Sequence, residues 1–286
     1  VKHLFLVLSL LLLSAPVQAD DLQPIEKIAR AYAKKQPALE NYQVTVETEK
    51  VEEMLEKMTA NIPADAPRPP SPLIRKYWQR STGKSLIRAE GPNIFPYMQE
   101  MVKRFSGDFA LELYDFLLPV GRSADRAGLV VDATVKTAVN DLAGAKLQTT
   151  SIQFPAAVDL AGAFYGEGLS LPQAGVIRLV FDVDPELEVV KRVEVTLAAG
   201  GVLSLEIRYR AVTAGLLPEN ILVTSLDGRI DNRYETKFSL YDGVWLPRKQ
   251  KRFVREGDKT DMLKVSFVDY EINAKFPKDV RKLLAP

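Results

Sequence analysis

From Val176 onward the chain is written in period two. Ile177, Leu179, Phe181 and Val183 alternate with Arg178 and Asp182, and Val193, Val195 and Leu197 with Arg192, Glu194 and Thr196. Leu203, Leu205, Ile207 and Tyr209 alternate with Ser204, Glu206, Arg208 and Arg210. Successive side chains of a strand point to opposite faces, so each run is apolar on one side and polar on the other. Further strands fit Leu222 to Leu226, Arg229 to Tyr241, Val244 to Arg255 and Asp261 to Asn273. The runs meet at Asp184-Pro185-Glu186, Gly200-Gly201, Asp227-Gly228, Asp242-Gly243 and Gly257-Asp258. Connections this short join antiparallel neighbours, whereas parallel strands need a long crossover. The text predicts a large one-sided antiparallel sheet, and such a sheet must bury its apolar face against something.

The cover has to come from the first half of the chain. Leu22, Ile25, Ile28, Ala29 and Tyr32 recur at helical steps, with Pro24 suited to a first turn, and predict a helix over 22–36. Tyr42, Val44 and Val46 then alternate as a strand. Residues 51–62 read as a short helix with Met54, Leu55 and Met58 on one side, and 63–72, with five prolines, as a stiff extended loop. Ile74, Lys76 and Trp78 alternate with Arg75, Tyr77 and Gln79, and Thr82-Gly83 turns the chain into a hairpin partner over 85–89. Residues 94–118 carry one apolar stripe, from Met98, Met101, Val102, Phe105 and Phe109 to Leu113, Phe116 and Leu117, broken at Gly107. It reads either as permanent core or as a movable lid over an apolar groove. Leu129 to Phe154 fits a strand pair turned at Asn140-Asp141 or a helix followed by a strand. The loop from Phe154 to Gly175 holds Leu160, Phe164, Tyr165, Leu169 and Leu171, too many apolar residues for a solvated loop, and is expected to dock. A short helix closes the chain over 278–284. The expected fold is α+β, mainly antiparallel β: one domain over 20–286, a curved sheet or unclosed barrel covered by a few helices, with a filled core or a lipid-sized cavity inside.

Composition narrows the chemistry. Lys2 and the apolar run Leu4 to Leu13, followed by Val17-Gln18-Ala19, have the form of a signal peptide cleaved after Ala19, too short to span a bilayer. Export to the periplasm as a soluble protein is the expectation. Cysteine is absent and His3, the only histidine, falls within that segment. A mature chain starting at Asp20 therefore has no thiolate, no imidazole for a Ser-His-Asp arrangement and no nitrogen ligand for the usual zinc sites, and it lacks the cysteine a lipoprotein needs. Lys and Arg total 38 against 37 Asp and Glu, a balance that argues against nucleic acid as a partner. Carboxylate chemistry remains available, for example at Asp227 and Asp231, but no spacing favours it. Asp182, Asp184 and Glu186 could be read as a metal cluster; an Asp-Pro hairpin turn explains them without one. No cofactor is expected.

The C-terminal third carries a resemblance. Arg192-Val193-Glu194-Val195 is followed by a Gly-containing turn and a strand, then by Tyr241-Asp242-Gly243-Val244-Trp245-Leu246-Pro247, and then by Val268-Asp269-Tyr270-Glu271-Ile272-Asn273 before Phe276-Pro277. Over roughly residues 176 to 280 this order resembles the periplasmic lipoprotein-sorting proteins of the LolA/LolB-like superfamily. The resemblance implies an unclosed barrel with a helical lid that shelters acyl chains of lipoproteins or other lipids bound for the outer membrane. Inner- and outer-membrane transfer partners would be implied with it, and no catalytic activity. A lid-locking arginine belongs to that picture; Arg75, Arg80, Arg88 and Arg104 all fit. On this reading Trp78, Met98, Met101, Phe105, Phe109, Leu205, Ile207, Phe238, Trp245 and Phe267 are the expected ligand-binding residues. An envelope signalling or interaction module on the same fold, and a carboxylate-based hydrolase, are the alternatives.

Overall fold

The alternating text folds as read. A computed structural model describes residues 22–60, 71–91, 94, 99–100, 102, 116–142 and 145–285. Its strands are β1 (Asn41–Thr48), β2 (Leu73–Gln79), β3 (Lys84–Glu90), β4 (Thr134–Leu142), β5 (Ala145–Val158) and β6 (Val176–Asp184), then β7 (Val189–Leu197), β8 (Val202–Val212), β9 (Gly215–Ser225), β10 (Asp231–Tyr241), β11 (Val244–Glu256) and β12 (Lys259–Ile272). They form one 12-stranded antiparallel sheet in the order β3-β2-β1-β12-β11-β10-β9-β8-β7-β6-β5-β4. The meander from β4 to β12 is thus extended by β1, β2 and β3, which join through β1 onto β12. The ends, β3 and β4, do not meet, so the sheet is unclosed. The helices are α1 (Gln23–Ala33), α2 (Glu49–Thr59), α3 (Ser123–Leu129) and α4 (Lys278–Leu284).

Several boundaries differ from the sequence reading, each for a local reason. β9 begins at Gly215, well before Leu222, because Pro218 lies beside a register shift between Arg208 and Tyr209, where a missing N–H is tolerated. Within 129–154 the chain forms the strand pair β4 and β5, with Leu142 opposite Ala145. Asn140 and Asp141 are inside β4, opposite Leu147 and Lys146. Helix α3, one residue after the short 3-10 turn Val120–Arg122, had no clear sequence signal. The expected signal segment, most of the proline stretch, the side chains of Met54, Leu55 and Met58, and most of 94–118 lie outside the described residues.

One face of the sheet carries the apolar side chains, in two clusters. The larger joins β5 to β9 with Ile25, Ile28, Ala29 and Tyr32 of α1, with Phe116, Leu117 and Leu118, and with the loop residues Leu160, Phe164, Tyr165, Leu169 and Leu171. The loop docks as expected. The smaller joins β1, β2, β11 and β12 through Tyr42, Val44, Trp78, Leu246, Val265 and Phe267, with Val102 over them and Val51 and Ile94 at the margin. On the other face, α4 packs Val280 and Leu284 on Tyr77 and Leu86 beside Phe276. Full burial of a large apolar side chain stabilises by about 1.5–3 kcal/mol, so both clusters contribute substantially.

Candidate functional site

The larger cluster is tied down by polar bonds as well as packing. Arg126 of α3 is fully buried, and its guanidinium donates to both carboxylate oxygens of Glu26 at 2.7 and 3.0 Å and to the carbonyls of Pro119 and Ala163 at 2.8 Å each. Ser123 donates to the same carboxylate at 2.8 Å. Burial alone would raise the Glu26 carboxyl, but the bonds from Arg126 and Ser123 outweigh it and hold the group below its ordinary value. Helix α1, the chain after Phe116 and the docked loop therefore meet at one guanidinium. Nearby, the backbone N–H of Val190 donates to the Tyr32 hydroxyl, which donates to Tyr209, whose hydroxyl donates to the Val190 carbonyl. Burial pushes Tyr32 up to about 12. Lys35 donates to the Leu216 carbonyl at 2.9 Å beside the Tyr32 ring, and burial lowers it to about 8, against a smaller opposing effect of Glu188.

The smaller cluster has a different cover. Trp78 is 2% exposed, stacked on Tyr42 with ring centroids 5.6 Å apart and with the Arg80 guanidinium 5.6 Å from its own centroid. From outside the sheet, Val102 belongs to this cluster and Val51 and Ile94 pack against it. Gln99 braces the edge of the sheet there, donating to the Ala89 carbonyl and accepting from the Ala89 N–H. Lys76 is buried on the same face between Ile74 and Trp78.

A polar seam separates the two clusters. On β10 and β11 the inward positions are Asn232, Tyr234, Thr236, Gln250 and Arg252. Tyr234 and Arg252 both donate to the Ser170 hydroxyl at 2.8 Å, and Gln250 donates to Thr236 at 3.2 Å. The apolar lining is therefore continuous around most of the sheet and interrupted at its middle strands.

The residues that carry the family resemblance stitch the fold. Asp269, at φ +54°, sits in the bulge that shifts the β1–β12 register between Gln43 and Thr45, so Phe267 and Ile272 both face inward although five residues apart. The Tyr270 hydroxyl donates to the Pro247 carbonyl at 2.7 Å. Asn273 accepts from the N–H groups of Glu40 and Asn41 and donates to the Ala38 carbonyl. Gln36 exchanges bonds with both backbone groups of Trp245. Asp242 and Gly243, at φ +45° and +80°, make the tight turn between β10 and β11.

Of the expected ligand-binding residues, Trp78 and Phe267 are in the smaller cluster, and Leu205 and Ile207 in the larger. Phe238 is buried on the same side of β10 as Tyr234 and Thr236. Trp245 is half-buried, its indole N–H donating to Thr213 at 3.0 Å. Met98, Met101, Phe105 and Phe109 lie outside the described residues. Of the arginines weighed for locking a lid, Arg80 donates to the carbonyl of Ala33 at the end of α1 and to those of Lys35, Gln36 and Leu39 beyond it, while Arg75 and Arg88 pair with Glu271 and Glu90. Arg104 lies outside the described residues. The buried hub is instead Arg126. Four of the five carboxylates weighed for metal or catalysis are engaged structurally: Asp182 accepts from Thr149 and Arg192, Asp184 from the N–H groups of Glu186 and Leu187, Asp227 from Ser225, and Asp231 from Arg233 and Arg255. Among the described residues no helix is long and apolar enough to cross a membrane.

The sequence matches no family model and no curated protein. Among solved structures, the chain is similar to a domain assigned to outer membrane lipoprotein sorting from Vibrio parahaemolyticus, at 9% identity over 92% of this chain and 98% of that one, with a TM-score of 0.38. It is similar to a DUF1329 family protein from Desulfovibrio piger at 9% identity, covering 91% and 96% with a TM-score of 0.34. The chain is also similar, at 9% identity over 93% of its length and 97% of the other's and with a TM-score of 0.33, to a LolA superfamily protein from Nitrosomonas europaea.

Proposed function

We propose that this chain is a periplasmic carrier that shelters the acyl chains of lipoproteins or other lipids, and that it takes them up on the half of the inner face formed by β12, β1 and β2. The observation that carries this reading is the difference between the two halves. One is closed by α1, α3 and a docked loop joined at the Arg126 guanidinium. The other groups Tyr42, Val44, Trp78, Val265 and Phe267 with Val102, and among the described residues off the sheet only Val51 and Ile94 pack against them. Small apolar contacts separate at lower cost than a buried, fully bonded guanidinium. Leu205 and Ile207 then act as core, and Trp78 and Phe267 as lining. The polar seam at Ser170 and Arg252 gives the ester or amide end of an acyl group hydrogen-bonding partners beside the lining. Export rests on the Leu4 to Leu13 run and the Ala19 cleavage signal.

Native mass spectrometry of the mature chain with a diacylated lipopeptide tests the proposal. A stoichiometric adduct with the lipopeptide, absent with the same peptide lacking its acyl chains, is the expected result. No adduct, or an equal adduct with the unacylated peptide, would overturn it.

A further inference from the structure

The outward face of β10, β11 and β12 carries a field of lysines whose placement works against the fold. Lys237 stands directly opposite Lys249, and Lys251 directly opposite Lys264, with Glu235 facing Lys251 from its other side on β10. Like charges directly opposite on neighbouring strands are destabilising. All four are exposed. Among the described residues, Lys264 reaches Glu49 at 3.6 Å, and no carboxylate is within ion-pair distance of Lys237, Lys249 or Lys251. Farther along the same face, Arg233 and Arg255 share the Asp231 carboxylate at 2.8 and 3.3 Å. Between the two groups of charge, Phe253 stands opposite Met262, which is 56% exposed. Two adjoining grooves of about 430 Å³ each run along this surface and share Glu235 and Lys251. Glu47, Glu49 and Glu52 form the far bank, toward β1 and α2.

We infer that this face docks the protein on an anionic lipid bilayer surface. The charge complementarity is direct: lysines on long flexible stems reach phosphate groups at different depths, and an anionic surface relieves the repulsion of the two opposed pairs. The Phe253–Met262 pair at the centre of the basic field supplies the apolar contact an interfacial site needs. The face is opposite the apolar lining, so docking leaves that lining unobstructed. The inference rests on the outer face alone and does not depend on acyl binding.

Flotation of the mature chain with vesicles, without any lipopeptide, tests it. The chain should float with phosphatidylcholine vesicles containing phosphatidylglycerol, not with phosphatidylcholine alone, and high salt should release it. The double variant Lys249→Gln, Lys251→Gln should partition about 25-fold less, at roughly fivefold per charge removed. Its thermal midpoint should be unchanged or raised, since repulsion is relieved. The variant Phe253→Ser, Met262→Ser should also partition less, with net charge unchanged. Failure to float with either vesicle, or flotation unaffected by the lysine changes, would overturn the inference. So would retention on a soluble polyanion such as heparin without vesicle binding, which would assign the face to an acidic macromolecule. A chain that floats but binds no lipopeptide would sink the carrier reading and leave this one standing.

Discussion

Replacing Arg126 by Met should be among the most damaging single changes on this fold. The guanidinium is fully buried and bonded to both oxygens of Glu26 and to the carbonyls of Pro119 and Ala163. Met fills similar volume but donates nothing, leaving a carboxylate 15% exposed without the guanidinium, the Ala163 carbonyl without a donor and the Pro119 carbonyl with only the Arg122 N–H. Removing one partner of a buried pair costs about 3–5 kcal/mol. Replacing both groups, Arg126→Met with Glu26→Met, should recover a large part of that loss, because no unpaired charge then remains. Urea unfolding of the parent, both single variants and the double variant gives the coupling directly. The pH dependence has a fixed sign. The folded Glu26 carboxyl lies below its ordinary 4.5, so its contribution is complete above that value and is lost as pH falls through the folded one. Glu26→Gln should remove this part of the acid sensitivity. An Arg126→Met loss under about 1 kcal/mol, well short of that range, or a double variant no more stable than Arg126→Met, would refute the reasoning.

At the turn between β10 and β11, Gly243→Val should cost about 1–2 kcal/mol from backbone strain, since φ is +80° and an added Cβ meets nothing within 4 Å; Gly243→Asn should cost less, and equal urea midpoints would contradict this. Lys35 should titrate near 8 by carbon-13 NMR of its side chain. Because its folded value lies below the ordinary 10.5, the unfolded chain holds the proton more tightly, so stability should rise as pH climbs from about 8 toward that value. Lys35→Met should flatten the rise, and an unchanged pH profile would show that Lys35 keeps its ordinary affinity.

What the sequence disclosed was the regular part of the fold. β7 and β8 follow their alternation from Val193 and Leu203, and β6 does from Leu179, but a register shift between Val176 and Arg178 buries Val176 in place of Ile177; α1 buries the residues its helical spacing selects, and the last helix spans 278–284 as read. The first half of β9 was obscured because Gly215 and Pro218 signal a turn, and only the β8–β9 pairing shows that a register shift accommodates them. The bulge at Asp269 reverses which residues of β12 face inward, a change that simple alternation cannot register. For the candidate site, periodicity placed Leu205, Ile207 and Phe267 on apolar faces but could not assign them to different clusters, because that depends on which elements cover each half. Arg126 gave no signal: it is an arginine on a seven-residue helix, and its carboxylate partner lies 100 residues earlier in the chain.

The central claim is that acyl chains enter beside Trp78 and not within the cluster bolted by Arg126. Fluorescence quenching by a lipopeptide with brominated acyl chains measures this, because bromine quenches indole only at close range. With Trp245→Phe, the remaining Trp78, 2% exposed and stacked on Tyr42 in the smaller cluster, should be strongly quenched at saturation. With Trp78→Phe, the half-buried Trp245, bonded to Thr213, should keep most of its emission. Strong quenching of Trp245 with Trp78 unaffected, or none of either at a concentration that gives a full adduct by mass spectrometry, would contradict the account.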